Sequence, residues 1–340
     1  MIPSAEYQLG FLSKLQRLFA EGDFTATYKY ALLIAMADLA IEVSDDRLTH
    51  QALAAKFIEL YWQQAAPYGT GRGEPAVLVQ NIGDQAAVVS AIVSFRNAQP
   101  SATVQSAPNL TGYRELIMTV AQTVSAQPVN YLQNLGGITD PFLYERERGA
   151  IVLKPGVAYC LRRFQPLVQQ LARSQWVAHI KGNKRNVPIL GDQDDLESFL
   201  FETPRQALTI IGRGLRGLTN SRCFYCAGTV QEAEVDHFVP FALYPRDLAH
   251  NFVMAHKKCN GSKSNALAAR SHLERWVQFI DDHDADLTEI GEAAGRIADA
   301  STCRSVARWG YSNAAQAGAR AWLKSGNYEP VDQGYLECLA

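Results

Sequence analysis

Two short motifs with matched internal spacing restrict the fold of this chain more than any other feature. SRCFYCAGTV carries Cys223 and Cys226 two residues apart, and MAHKKCNG repeats that separation with His256 and Cys259 after 29 intervening residues. Such a spacing lets one tight turn aim both side chains at a single tetrahedral ion. Three thiolates and one imidazole form a closed donor set with no open position, which points to a structural zinc. Read without a metal, these would be free cysteines buried as small apolar groups, and the repeated spacing would be accidental. His250 lies close enough to compete with His256 as the fourth ligand. A clip also suits the energetics, because residues 221–265 hold few apolar anchors (Phe224, Val235, Phe238, Val239, Phe252, Val253) and could hardly keep their own shape.

The rest of the chain is ordinary by comparison. With 340 residues and 47% hydrophobic content it can bury a full core and suits two or three packed units. Six cysteines, three of them in the motif, are too few for a disulfide scaffold and favour a reducing compartment. The start, MIPSAEYQLGFLSKL, lacks the basic and continuous apolar stretches of a secretory signal, and the apolar run ALLIAMADLAI at 31–41 contains Asp38. A membrane span needs roughly twenty apolar residues. The expectation is a soluble, cytoplasmic protein with no membrane partner.

Apolar residues recur every three or four positions in FLSKLQRLFAEG, FTATYKYALLIAMADLAIEV and LTHQALAAKFIELYWQQA, so the first hundred residues read as mainly helical. In the second of these, Tyr28, Ala31, Leu32, Ala35 and Leu39 fall on one core-facing side. PYGTGRGEP at 67–75 reads as a loop whose GTGRG lacks the spacing and the Lys-Ser/Thr of a phosphate loop. DPFLYERERGAIVLKPG can hold a short strand, VAYCLRRFQPLVQQLARSQWVAHIK reads as one long helix, and Thr203-Pro204 reads as a helix start. Beyond 265 the pattern is helical to the end. The expected class is mainly α with one embedded non-helical module. Its divisions are a helical N-terminal domain at 1–150 for recognition, sensing or oligomerisation, a basic helical connector at 151–220, the module at 221–275, and C-terminal helices at 276–340.

Inside that module stands EVDHFVP, an acid and an imidazole side by side before a proline. In order, CFYC, VDHFVP, HNFVMAHKKCN and GSK resemble the HNH endonucleases, the zinc-stabilised branch of the ββα-metal nucleases. The likeness covers roughly 45 of the 340 residues. It implies an embedded ββα-metal module with His237 as general base, and with Asp236 and Asn260 as ligands of a catalytic Mg²⁺ or Mn²⁺. It further implies that Asn251 ties down the loop and orients the histidine, and that Lys263 sits near the phosphate. HKKC stands where a second CxxC is commoner. Elementary chemistry agrees with these roles, since hydrolysis of a phosphodiester needs a base active near neutral pH and a cation to offset developing charge. One geometric condition follows: neighbours on a regular strand point to opposite faces, so the strand must end or bulge at Asp236-His237.

Net charge is −2, which argues against a protein that coats nucleic acid indiscriminately, but the charge is uneven. Residues 151–275 hold 17 Lys+Arg against 10 Asp+Glu, while residues 1–150 hold 10 against 14. A polyanion site therefore belongs in the basic segment, with Arg213, Arg216, Arg222, Lys257 and Lys258 as first candidates and Lys181, Lys184 and Arg185 next. The favoured reading is an endonuclease acting on DNA, with RNA as the other substrate kept open; the family resemblance implies a role in restriction or phage defence, and the partner expected is a second copy of the chain in a homodimer or a regulatory protein. The alternative is a catalytically silent zinc-stabilised module that binds nucleic acid or serves as a scaffold.

Overall fold

Helix-forming, apolar-rich sequence dominates, and the computed structural model is mainly helical with four small sheets among the residues it describes, 2–69, 74–191 and 195–339. Residues 70–73 of the Gly-rich stretch lie outside that set, so the loop reading there stands on sequence alone. The chain divides into two units, Met1–Ala102 with Ala107–Glu202, and Thr103–Ser106 with Thr203–Ala340. Among the described residues, no helix is long and apolar enough to cross a membrane.

The first unit contains α1 (Ala5–Glu21), α2 (Tyr28–Glu42), α3 (His50–Trp62), α4 (Ala87–Ala98), α5 (Tyr113–Ala126), α6 (Pro128–Tyr131), α7 (Val157–Arg163), α8 (Gln165–Gly182), α9 (Val187–Leu190) and α10 (Leu196–Phe201). It also holds β1 (Arg47–Thr49), β2 (Asn134–Leu135), β3 (Ile138–Thr139), β4 (Tyr144–Glu147) and β5 (Ala150–Leu153). Helix α2 is the core element: every residue from Tyr28 to Ile41 is buried, so it is enclosed on all sides where its sequence suggested one buried face. Its buried carboxylate Asp38 accepts a hydrogen bond from the Gln169 amide at 2.7 Å. The expected long helix over 157–181 is two, because Phe164 leaves helical geometry and Pro166, with no N–H to donate, opens α8. ERERGAIVL forms two strands, β4 and β5, and β1 joins the far edge of β5 in a three-stranded antiparallel sheet.

In the second unit are α11 (Arg205–Leu218), β6 (Ala233–His237), β7 (Phe252–His256), α12 (Lys257–Lys263), α13 (Arg270–Ala294), α14 (Ala300–Gln316), β8 (Arg320–Lys324), β9 (Asn327–Pro330) and α15 (Gly334–Glu337). Strands β6 and β7 pair antiparallel from Ala233↔His256 to His237↔Phe252, and α12 follows β7 without a linker. The glycines of α11 permit close packing: a Cβ on Gly214 would lie 2.5 Å from Ile290 of α13, and one on Gly212 would lie 3.2 Å from Val235 of β6. Trp276 of α13 stacks on Phe238 at 4.6 Å between centroids and donates its indole N–H to the His250 carbonyl, fixing the chain just beyond β6 to the core.

Two sequence expectations change here. Thr203 is not a helix cap: α11 starts at Arg205, Pro204 precedes it, and the Thr203 hydroxyl turns to Asp247. Nor is the C-terminal region helical throughout, since ARAWLKSGNYEP folds back as the β8–β9 hairpin, with Gly326 at φ +76° between the strands.

Candidate metal centre and histidine site

Cys223 and Cys226 flank a tight turn. The Cys223 N–H donates to the Gly228 carbonyl at 2.9 Å and the Ala227 N–H donates back to the Cys223 carbonyl at 2.8 Å. His256 ends β7 and Cys259 lies on the first turn of α12, so the strand-to-helix junction supplies the other two donors. The ligand atoms of Cys223, Cys226, His256 and Cys259 all lie within 4.8 Å of one another, a group that could hold a metal ion. Its sulfur and nitrogen donors suit zinc. The imidazole is oriented for this: Nε2 meets the Thr229 carbonyl at 3.0 Å, while Nδ1 lies 3.3 Å from the Cys226 sulfur and 4.0 Å from that of Cys259. A carbonyl bonded to one ring nitrogen fixes the proton there and leaves the other lone pair for the metal. That carbonyl is also the main cause raising the pKa of His256. Burial and the neighbouring sulfurs push the Cys259 thiol up to about 12. His250 is no competitor, because its buried ring is bonded through Nε2 to Asp284 at 2.9 Å.

The register of β6 is regular through Asp236↔Val253 and His237↔Phe252, and the strand stops at His237 without a bulge. Strand alternation therefore sends Asp236 and His237 to opposite faces. Asp236 Oδ2 accepts from the Tyr225 hydroxyl at 2.6 Å and pairs with Lys263 Nζ at 3.1 Å, and the same ammonium donates to the His237 carbonyl at 2.8 Å. Asp236 is only 7% exposed and Lys263 only 1%. Burial lowers the Lys263 pKa, with Asp236 opposing. Burial, reinforced by the Asp236 charge, pushes Tyr225 well above the usual phenol range.

These contacts correct one expectation. Lys263 is not a surface cation near a phosphate but the buried counter-charge of Asp236. One oxygen of Asp236, Oδ2, is held by both the Tyr225 hydroxyl and that ammonium. Asn260 donates to Glu234 Oε2 at 2.9 Å, also on the α12 side of the strand.

On the other face, His237 Nε2 forms a short hydrogen bond with Asp247 Oδ1, and the ring lies against Phe241 and Phe252. Asp247 Oδ2 forms a second short bond with the Thr203 hydroxyl, which accepts from Arg296 Nη1 at 3.1 Å. Burial opposes ionisation of Asp247, yet its pKa is lowered because the bonds to His237 and Thr203 and the Arg296 charge outweigh burial. With Asp247 ionised, the proton of neutral His237 belongs on Nε2, and Nδ1 is the nitrogen left to act as a base. Asn251 holds the adjoining segment through two bonds to Val239, Nδ2 to the carbonyl at 2.9 Å and Oδ1 from the N–H at 2.8 Å.

A groove of about 690 Å³ runs between α11 and β6, lined by Arg213, Arg216, Glu234 and Asn260 among others. Arg216 is tied down, donating to the Val230 and Gln231 carbonyls at 3.3 and 3.1 Å. Arg222 donates to the Ala227 carbonyl of the cysteine turn at 3.3 Å. Lys257 and Lys258 are exposed on α12, whereas Lys181, Lys184 and Arg185 belong to the first unit. Asp247, Thr203, Arg296 and Tyr225 are not found from sequence. The acid in FALYPRDLAH is visible there, but no spacing rule ties it to His237 across a loop.

Compared with known proteins, the chain matches no family model, no curated protein and no solved structure.

Proposed function

We propose that the second unit is a phosphodiester hydrolase of the HNH type acting on DNA, with His237 as general base and a structural zinc at Cys223, Cys226, His256 and Cys259. The observation that carries this reading is the bond from His237 to the half-buried Asp247, on a hairpin whose second strand ends at His256 of the four-donor metal group. Asp247 holds the proton on Nε2 and stabilises the imidazolium that forms when Nδ1 takes a proton from water. The hydroxide so formed bonds to phosphorus as the phosphorus–oxygen bond to the leaving group breaks. Arg213 and Arg216 line a groove beside β6 that Glu234, Val235 and Asn260 also border, and can offset phosphate charge there.

Asp236, committed to Lys263 and Tyr225, favours a second reading, a zinc-stabilised module that binds nucleic acid without cutting it. One experiment separates the two. Wild type and His237→Ala are incubated with supercoiled plasmid in EDTA, Mg²⁺ or Mn²⁺, with zinc content verified. Nicking or linearisation by wild type alone supports hydrolysis. Dependence on Mg²⁺ or Mn²⁺ would indicate that Asp236 exchanges its ammonium partner for a metal. Plasmid binding by both proteins, without cleavage under any condition, supports the binding module.

A further inference from the structure

We propose that the first unit carries a separate binding site for a small organic anion, built around Lys29. A cavity of about 750 Å³ opens beside the start of α2, with Thr25, Tyr28 and Lys29 on that wall and α5 and α6 opposite. This volume falls within the roughly 300–1,000 Å³ typical of small-molecule sites.

Lys29 is 8% exposed as a residue, and its ammonium, which borders the cavity, forms no hydrogen bond or ion pair with any described residue. Its close neighbour is the Phe24 ring, with Nζ 5.4 Å from the centroid. A cation–π contact offsets only part of the cost of removing an ammonium from water. The exposed carboxylate of Asp23 lines the same cavity and partly opposes the effect of burial on the amine. An ammonium that borders a cavity without a directly bonded acceptor is open to a further partner of opposite sign.

A second feature has the same sign. Helix α2 is 15 residues long and no side chain caps its N-terminus, so its first-turn N–H groups and helix dipole add positive potential at the wall that carries Lys29. The Tyr28 hydroxyl is turned away to the Val88 N–H, leaving Lys29 as the strong donor at that wall. The rest of the lining sets the ligand class. Gln122, Gln127 and Asn134 offer both donors and acceptors, and Tyr131, 50% exposed, offers an aromatic face. An inorganic anion would fill little of this space. A phosphate ester or polycarboxylate with a hydrogen-bonding body fits both the charge and the volume.

The test is calorimetric titration of the full chain with adenosine 5′-monophosphate, citrate, inorganic phosphate and adenosine. At least one of the two organic anions is expected to bind, more tightly than inorganic phosphate, with adenosine silent. A preference for the nucleotide identifies a phosphate ester and a preference for citrate a carboxylate. Lys29→Met should weaken binding about tenfold or more, the worth of one charge-assisted bond, while Lys29→Arg keeps most of it. The unliganded Lys29→Met protein should melt close to wild type, because Lys29 has no directly bonded partner to lose and its contact with Phe24 is weak. Absence of binding by both organic anions, binding of adenosine equal to that of its phosphate, or affinity unchanged in Lys29→Met would each overturn the proposal. None of these results depends on cleavage by the second unit.

Discussion

Replacing Lys263 with Met removes the counter-charge of a carboxylate that is 7% exposed. Breaking a buried pair from one side costs about 3–5 kcal/mol, because the remaining charge is left uncompensated. Here the loss should fall near the lower end, since the Tyr225 hydroxyl still donates to Asp236 at 2.6 Å and the carboxyl can take up a proton. The double variant Asp236→Leu with Lys263→Met leaves no orphan charge and should be destabilised by about 2–4 kcal/mol, from the lost bond to the His237 carbonyl and the Tyr225 hydroxyl left without its acceptor, well below the sum of the two single changes. A coupling energy above about 1 kcal/mol between the two positions is therefore expected. With two units, global unfolding need not be two-state, so native-state hydrogen exchange of the β6–β7 amides with zinc bound is the suitable assay. If Lys263→Met costs less than about 1 kcal/mol, or the two single changes simply add, the pair is not the buried clamp described here.

Three further outcomes follow from named contacts. The chain should bind one zinc, measured by metal analysis; Cys259→Ser and His256→Ala should lose it, His250→Ala should keep it, and chelation should first release exchange protection at β7 and α12. Asp247→Asn should slow plasmid cleavage by up to about 10²–10⁴-fold, the range of general-base catalysis, with duplex affinity unchanged; an equal loss of binding would make Asp247 a structural residue only. Burial lowers the pKa values of His179, His250 and His272 below the ordinary 6.5, so the unfolded chain binds protons that the folded chain does not. Stability should therefore decline as pH falls below about 6.5 and level off only beneath the folded-state values, which thermal melts from pH 7.5 to 5 would follow.

The parts of this molecule legible in the sequence are those governed by local rules. Periodicity marks α1, α2 and α3, and the matched spacing of Cys223/Cys226 and His256/Cys259 marks four donors that the structure gathers. What was hidden depends on partners distant in sequence. Nothing near Lys263 shows that it will be enclosed with Asp236, 27 positions earlier, and Thr203 resembles a helix cap until its hydroxyl is seen on Asp247. The β8–β9 hairpin was missed because ARAWLKS also satisfies a helical pattern, and only Gly326 in the left-handed region decides for a turn.

Asp236 and His237 are adjacent in the chain but, as folded, belong to different networks. Because β6 reaches His237 without a bulge, Asp236 faces Tyr225 and Lys263 while His237 faces Asp247. The first network has nearly lost its solvent, which is where an ion pair is most sensitive to the loss of one partner. The second keeps an imidazole side chain 23% exposed, with one ring nitrogen engaged, an arrangement that suits proton exchange with water. The two networks touch at the backbone, where Lys263 holds the His237 carbonyl. A ligand that drew Lys263 away from Asp236 would thus also release the carbonyl of the residue bearing the base, so any cation admitted at Asp236 would alter the positioning of His237 directly.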